Sequence, residues 1–208
     1  MQIASSDTLK AATIHLAKHD PILARLIKSH KKCDISPHTN YYQELVDSII
    51  GQQLSVKAAR SILNRFIDLF GGTFPKPDQI LAKSPEELRA VGLSNAKAAY
   101  VQDLAHHVMD GRLVLDKLNL LNNEEIIQEL TAVKGIGEWT AHMFLLFAMG
   151  RLDVLAHGDL GIKNGIRAVY NFDHLPTAKD IQDLSKKNNW HPYESVACWY
   201  IWQSLDNA

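Results

Sequence analysis

The sequence predicts an all-α fold, long enough for one large domain or two small lobes sharing a cleft. Apolar residues recur at helical spacing, capping signals stand ahead of those stretches, and no convincing run of alternating β-branched residues occurs. Near the start, His15 and His19 have i, i+4 spacing with no third ligand, which reads as a solvated helix face. The basic stretch 25–32 fits either a solvated helix end or part of a DNA-facing surface. Over residues 55–70, Val56, Ala59, Ile62, Phe66 and Leu69 share one helical face. Ser55 suits the N-cap, and Gly71-Gly72 closes the other end. Ser84-Pro85-Glu86-Glu87 is a capping box with proline at the first helical position, and Thr177 with Asp180 repeats the box. Residues 139–149 are apolar nearly all round, which predicts a central, buried helix.

Composition narrows the function classes. No apolar run approaches the ~18 residues of a membrane span, and the first residues lack the pattern of a signal peptide. Cys33 and Cys198 stand far apart without a CxxC pair, so they read as reduced thiols rather than metal or cluster ligands. A net charge of −1 argues mildly against nucleic acid, unless charge is concentrated on one face or backbone amides hold the phosphates.

A faint internal repeat pairs residues 88–100 with residues 130–142, each a short helix, a glycine turn and a longer helix. The first copy fits an ordinary αα-hairpin as well as a functional one. The second is sharper. In Val133-Lys134-Gly135-Ile136-Gly137 the glycines permit unusual backbone conformations and leave room for close approach. Ile136 between them is placed to plug the turn into the core. The helix that follows offers free N–H groups, so the turn suits an anion such as a DNA phosphate, without base preference. A plain helix turn is the alternative reading.

These residues, with Glu138-Trp139-Thr140-Ala141 and then Gly158-Asp159-Leu160-Gly161-Ile162, resemble the helix-hairpin-helix DNA glycosylase superfamily. Within it the chain is most similar to the 3-methyladenine DNA glycosylase II family, which implies one domain, 1–208, of two helical lobes whose cleft takes a flipped base. The segment Ser48-Ile49-Ile50-Gly51-Gln52-Gln53-Leu54-Ser55 and the closing stretch 190–202 carry the same likeness, which spans about 41–202. The N-terminal β-rich domain of some members has no counterpart in the roughly forty residues before the match.

An isolated aspartate at 159 fits a helix N-cap. The resemblance instead makes Asp159 the essential carboxylate. Breaking an N-glycosidic bond develops positive charge on the sugar, which a carboxylate stabilises, and a helix N-terminus is a favourable place for one. Many relatives carry a nucleophilic lysine where this chain has Trp139, and their four-cysteine cluster motif is absent too. The resemblance therefore implies a monofunctional hydrolase without lyase activity. Lys134 and Lys163 are explained by phosphate contact or solvation.

The resemblance also implies that Gln52, Gln53 and Leu54 form the loop entering the gap left by a flipped base, with Gln53 as the wedge. A pair of helix-capping glutamines is the alternative. Trp202 matches the family's base pocket, with Trp139, Tyr41 and Tyr42 as further candidates, while Met143 and Leu160 replace tyrosines of other members. Lys134, Gly135 and Gly137 are the DNA contacts. The carbonyls of Thr131, Val133 and Ile136 are the candidates to hold a monovalent cation (Na+ or K+), and no other cofactor is required. His157 is a candidate phosphate contact or proton donor.

The expected partner is double-stranded DNA with alkylated bases, met by a monomer in a bacterial cytoplasm or a nucleus. Two rivals are weighed. A catalytically silent DNA clamp has no need of Asp159, and a glycosylase for oxidised or mismatched bases is disfavoured by Trp139 and the missing cysteines.

Overall fold

Short polar side chains set the helix starts. In the computed structural model, which describes residues 2–205, the helices are α1 (Ser6–His19), α2 (Pro21–Ser29), α3 (Tyr41–Gly51), α4 (Val56–Leu69), α5 (Pro77–Leu81), α6 (Pro85–Ala90), α7 (Asn95–Met109), α8 (Asn123–Thr131), α9 (Glu138–Met143), α10 (Leu160–Val169), α11 (Ala178–Lys187) and α12 (Glu194–Gln203). The side chains of Ser55, Ser84, Ser94, Asn122, Asp159 and Thr177 each accept a backbone N–H from the first turn they precede. Both predicted capping boxes form, Ser84 with Glu87 and Thr177 with Asp180. The 55–70 stretch folds as α4, and Gly71 and Gly72 follow it at φ 79° and 83°. Among the described residues, β pairing is confined to one isolated bridge between Ile3 and Arg151. The fold is all-α, as predicted.

The chain divides into two units: unit 1 comprises Met1–Thr39 with His142–Ala208, and unit 2 comprises Asn40–Ala141. In unit 1, α12 packs on α1, α2 and α10 around a core that includes Leu16, Leu23, Ile166, Trp190 and Val196. Asp20 is a buried hub. Its carboxylate caps α2 through the N–H groups of Ile22 and Leu23, and accepts from Tyr170 Oη at 2.7 Å and Trp190 Nε1 at 2.8 Å. Truncating a partner of this charge costs about 1–3 kcal/mol, because a buried acceptor loses its donor. Gly165 sets the closeness of α10 to α12, since a Cβ there lies 2.5 Å from Ile201 Cγ2 and 3.0 Å from its carbonyl oxygen. In unit 2, α7 packs against α3, α5 and α6, and α3 packs on α4.

Two local expectations need correction. Residues 139–149 are not one buried α-helix: α9 gives way to a π-helical stretch, Phe144–Ala148, closed by Met149 N–H on the Phe144 carbonyl at 3.0 Å. That wider turn leaves Phe147 41% exposed, and Trp139 at the first turn of α9 is 49% exposed. His15 and His19 are not a solvated face, because His15 bonds the Asn189 carbonyl at 2.7 Å and sets its ring against Tyr193. The basic stretch agrees with a solvated helix end: Arg25, Lys28, Lys31 and Lys32 are exposed, and Lys31 pairs with Asp34 at 3.0 Å and lies over the Trp199 ring. Cys33 and Cys198 are free and buried, and burial pushes each thiol up to about 12, which leaves both inert as nucleophiles at neutral pH.

Candidate active site and DNA-binding elements

Asp159 is positioned by two helices of unit 1. It caps α10, with its Oδ1 accepting Ile162 N–H at 2.8 Å. The same oxygen accepts Trp202 Nε1–H from α12 at 2.8 Å. Two donors on one oxygen fix the rotation of the carboxylate. Gly161 makes room for this, since a Cβ there lies 3.0 Å from Asp159 Oδ1 and 3.0 Å from Trp202 Nε1. The loop before Asp159 is stitched to α12 by Ser195, whose hydroxyl donates to the Arg151 carbonyl at 2.7 Å and accepts Val154 N–H at 3.1 Å. Ser195 and Trp202 lie seven residues apart, so one face of α12 holds both the loop and the carboxylate.

A second ring joins Trp202. Phe147 stands 5.7 Å from it, centroid to centroid, at 31°. Sequence reasoning missed Phe147, because an apolar residue inside an apolar run carries no sign that a π-helical turn exposes it. His157 precedes Asp159 by two positions and meets His142 edge to face at 5.4 Å, a pairing the sequence did not suggest. Met143 packs against the unit 1 core, whereas Leu160 is exposed at the first turn of α10.

In unit 2 the hairpin forms as predicted, with Ile136 and Val133 buried beneath it. Gly135 takes φ 85°, a conformation that excludes most other residues. The expectation of open space at both glycines is corrected at Gly135. A Cβ there would overlap the Tyr100 ring, so Tyr100 of α7 fills the place of the missing side chain. Gly137 differs, with nothing within 4 Å of its Cβ position. Among the described residues, the N–H groups of Gly135 and Gly137 meet no acceptor, whereas Ile136 N–H is spent on Val133 O at 3.1 Å and Lys134 N–H on Asp103 at 2.9 Å. Lys134 Nζ also lies 3.8 Å from Asp103, with its side chain 77% exposed. Asp103 is a hairpin support that sequence reasoning missed. A carbonyl oxygen has two lone pairs, and Val133 O spends one of them on Ile136 N–H.

The 52–55 loop departs from the expectation at one residue. Gln52 does not point to solvent: its Nε2 donates to the Gly135 carbonyl at 2.7 Å. Gln53 and Leu54 are exposed, and Gln53 is left-handed at φ 57°. Tyr41 Oη donates to Asn119 at 3.0 Å, and Tyr42 belongs to the core, edge-on to Phe74. The first copy of the repeat is structural. Its turn at Gly92 is filled by Arg65, whose Nε donates to Val91 O at 2.9 Å.

A glycine hairpin with free N–H groups, an exposed turn and a capped carboxylate beside two tilted rings fit the DNA repair class that the family match shows. Residues 46–189 match the family described as HhH-GPD superfamily base excision DNA repair protein, and the chain belongs to that superfamily. It is 34% identical over 202 residues to DNA-3-methyladenine glycosylase 1 of Schizosaccharomyces pombe, covering 95% of this chain and 88% of that one. The solved structure of that organism's 3-methyladenine DNA glycosylase in complex with abasic DNA superposes with a TM-score of 0.82 at 34% identity, covering 94% and 97% of the two chains. DNA-3-methyladenine glycosidase from Bacillus halodurans gives 0.84 at 38% identity, covering 98% and 92%.

Proposed function

We propose that this protein is a monofunctional DNA glycosylase that excises alkylated bases from duplex DNA by hydrolysing the N-glycosidic bond. The observation that carries the reading is Asp159, set at the head of α10 with one oxygen held by Trp202 and the cap. The names of the similar proteins, 3-methyladenine DNA glycosylases, support the substrate class. Trp202 and Phe147 offer aromatic surface to a flipped base, and Asp159 stabilises the positive charge that grows on the sugar. The residue at 139 is a tryptophan, so the lysine that forms a Schiff base in lyase relatives is missing there. Gly135 and Gly137 donate to a phosphate, with Lys134 adding charge, and Gln53 and Leu54 enter the vacated gap. A monovalent cation held by the carbonyls of Thr131, Val133 and Ile136 would add positive charge at that turn. We take it to act as a monomer on the DNA of its own genome.

The direct test is incubation with methylated duplex DNA. Free methylated base is expected in solution, with strands cut only after alkali or heat, and with no adduct trapped by borohydride. A trapped adduct in quantity overturns the monofunctional assignment, and release of no base overturns the activity.

The hairpin makes a separate prediction. Because the Gly137 Cβ position is open, Gly137→Ala is expected to fold normally, yet its methyl intrudes where a phosphate approaches. Binding to damaged and undamaged duplexes is expected to weaken alike, by roughly tenfold, the scale of one hydrogen bond to a charged group. Unchanged affinity in a filter-binding or anisotropy titration would return the turn to a purely structural role.

A further inference from the structure

We infer that Lys97 is a positioning residue for base flipping, which holds the 52–55 loop in its entering shape; this rests on the proposed wedge role of Gln53. The α3 helix ends at Gly51, where the last carbonyls lose their intrahelical partners. Lys97, near the start of α7, supplies the replacement: its Nζ donates to Ile50 O at 2.8 Å and to Gln52 O at 2.7 Å. Both bonds are partly buried, and desolvation lowers the Lys97 pKa, as expected for an ammonium drawn in from water.

The conformation this protects is unusual. Gln53 is a non-glycine residue in the left-handed region, a state that persists only when its surroundings over-determine it. The surroundings are the two Lys97 bonds, the Gln52 amide on Gly135 O, and Leu54 N–H on Gly51 O at 3.2 Å. Lys97 thus holds the carbonyl of the residue whose side chain grips the hairpin. Without its ammonium, two partly buried carbonyls lose their donor, and Gln53 is free to return to an extended conformation. A loop ordered in advance loses little further entropy on entering a duplex.

The consequence is specific to paired lesions, because an unpaired base is already partly unstacked and needs less help to leave the helix. Lys97→Met keeps the apolar stem and removes the charge. Single-turnover excision of 7-methylguanine is compared between a paired duplex and a one-nucleotide bulge. Loss of two charge-assisted bonds should slow the paired reaction about tenfold or more, and the bulged reaction by no more than about twofold. The rise in 2-aminopurine fluorescence beside the lesion, which reports unstacking, is expected to fall in step with the paired rate. Lys97→Arg, which can satisfy both carbonyls, should recover most of that rate.

Equal losses on the two substrates, or no loss on the paired one, overturn the proposal. Should Lys97→Met fold poorly by thermal melt, Lys97→Gln carries the same paired-against-bulged comparison. Wild-type protein releasing no base from either substrate would instead sink the proposed activity. The fluorescence difference between wild type and Lys97→Met would still decide the role of Lys97.

Discussion

Asp159→Asn is expected to lower the single-turnover rate of methylated-base release by about a hundredfold or more, the scale seen when a preorganised electrostatic group is removed. The substitution is well matched to the site. Asparagine keeps an Oδ1 that accepts from both Ile162 N–H and Trp202 Nε1–H, and it caps helices about as well as aspartate. Cap, rotamer and indole contact therefore survive, while the charge facing the sugar is lost. The thermal midpoint and the affinity for an abasic-site duplex should stay near wild type. Asp159→Ala makes the contrast, because losing the cap adds about 1 kcal/mol of destabilisation on top of the catalytic loss. Excision at the wild-type rate by folded Asp159→Asn would remove Asp159 from the chemistry and leave it as a cap alone.

Much of this site is legible in the sequence, for a physical reason. Capping boxes, the glycine turn with Ile136 as its plug, and an aspartate opening α10 are local signals, readable within a few residues. What escapes is long-range or conformational. The Trp202 bond to Asp159 spans 43 positions and the Gln52 bond to Gly135 spans 83, and no periodicity marks either. Gln52 was legible as a loop residue, but whether its amide faces DNA or the hairpin depends on where Gly135 comes to lie. The π-helical turn that exposes Phe147 leaves composition unchanged, so the run 139–149 reads as uniform core. Gly135 and Gly137 look equivalent as letters. The left-handed backbone of Gly135 and the Tyr100 ring against it distinguish the glycine that shapes the turn from the one that leaves its face open.

Cationic lesions such as 3-methyladenine and 7-methylguanine are expected to leave much faster than neutral bases such as hypoxanthine and uracil. N-methylation at those positions places positive charge on the base and weakens its bond to the sugar, so departure needs no proton donor. The rings at the site favour the same class. Trp202 and Phe147 present electron-rich faces that attract a cationic base by roughly 0.5–2 kcal/mol, depending on desolvation. The Trp202 N–H is spent on a carboxylate, which polarises the indole toward a more negative face. An attraction of that size accounts for at most about thirtyfold in rate if it is fully expressed in the transition state. A larger gap between 7-methylguanine and uracil must therefore come from leaving-group ability, whose effect grows as the bond breaks. Two variants separate the contributions. Trp202→Phe keeps a ring but deprives Asp159 of its second donor, so every substrate should slow. Trp202→Ala additionally removes the cation–π face, and the extra loss should fall on the methylated bases without abolishing their release. The measurement is single-turnover excision from duplexes carrying 7-methylguanine, hypoxanthine or uracil at one defined position. If uracil leaves as fast as 7-methylguanine, the alkylation reading fails, because neither the rings nor the carboxylate would then be selecting for a charged leaving group.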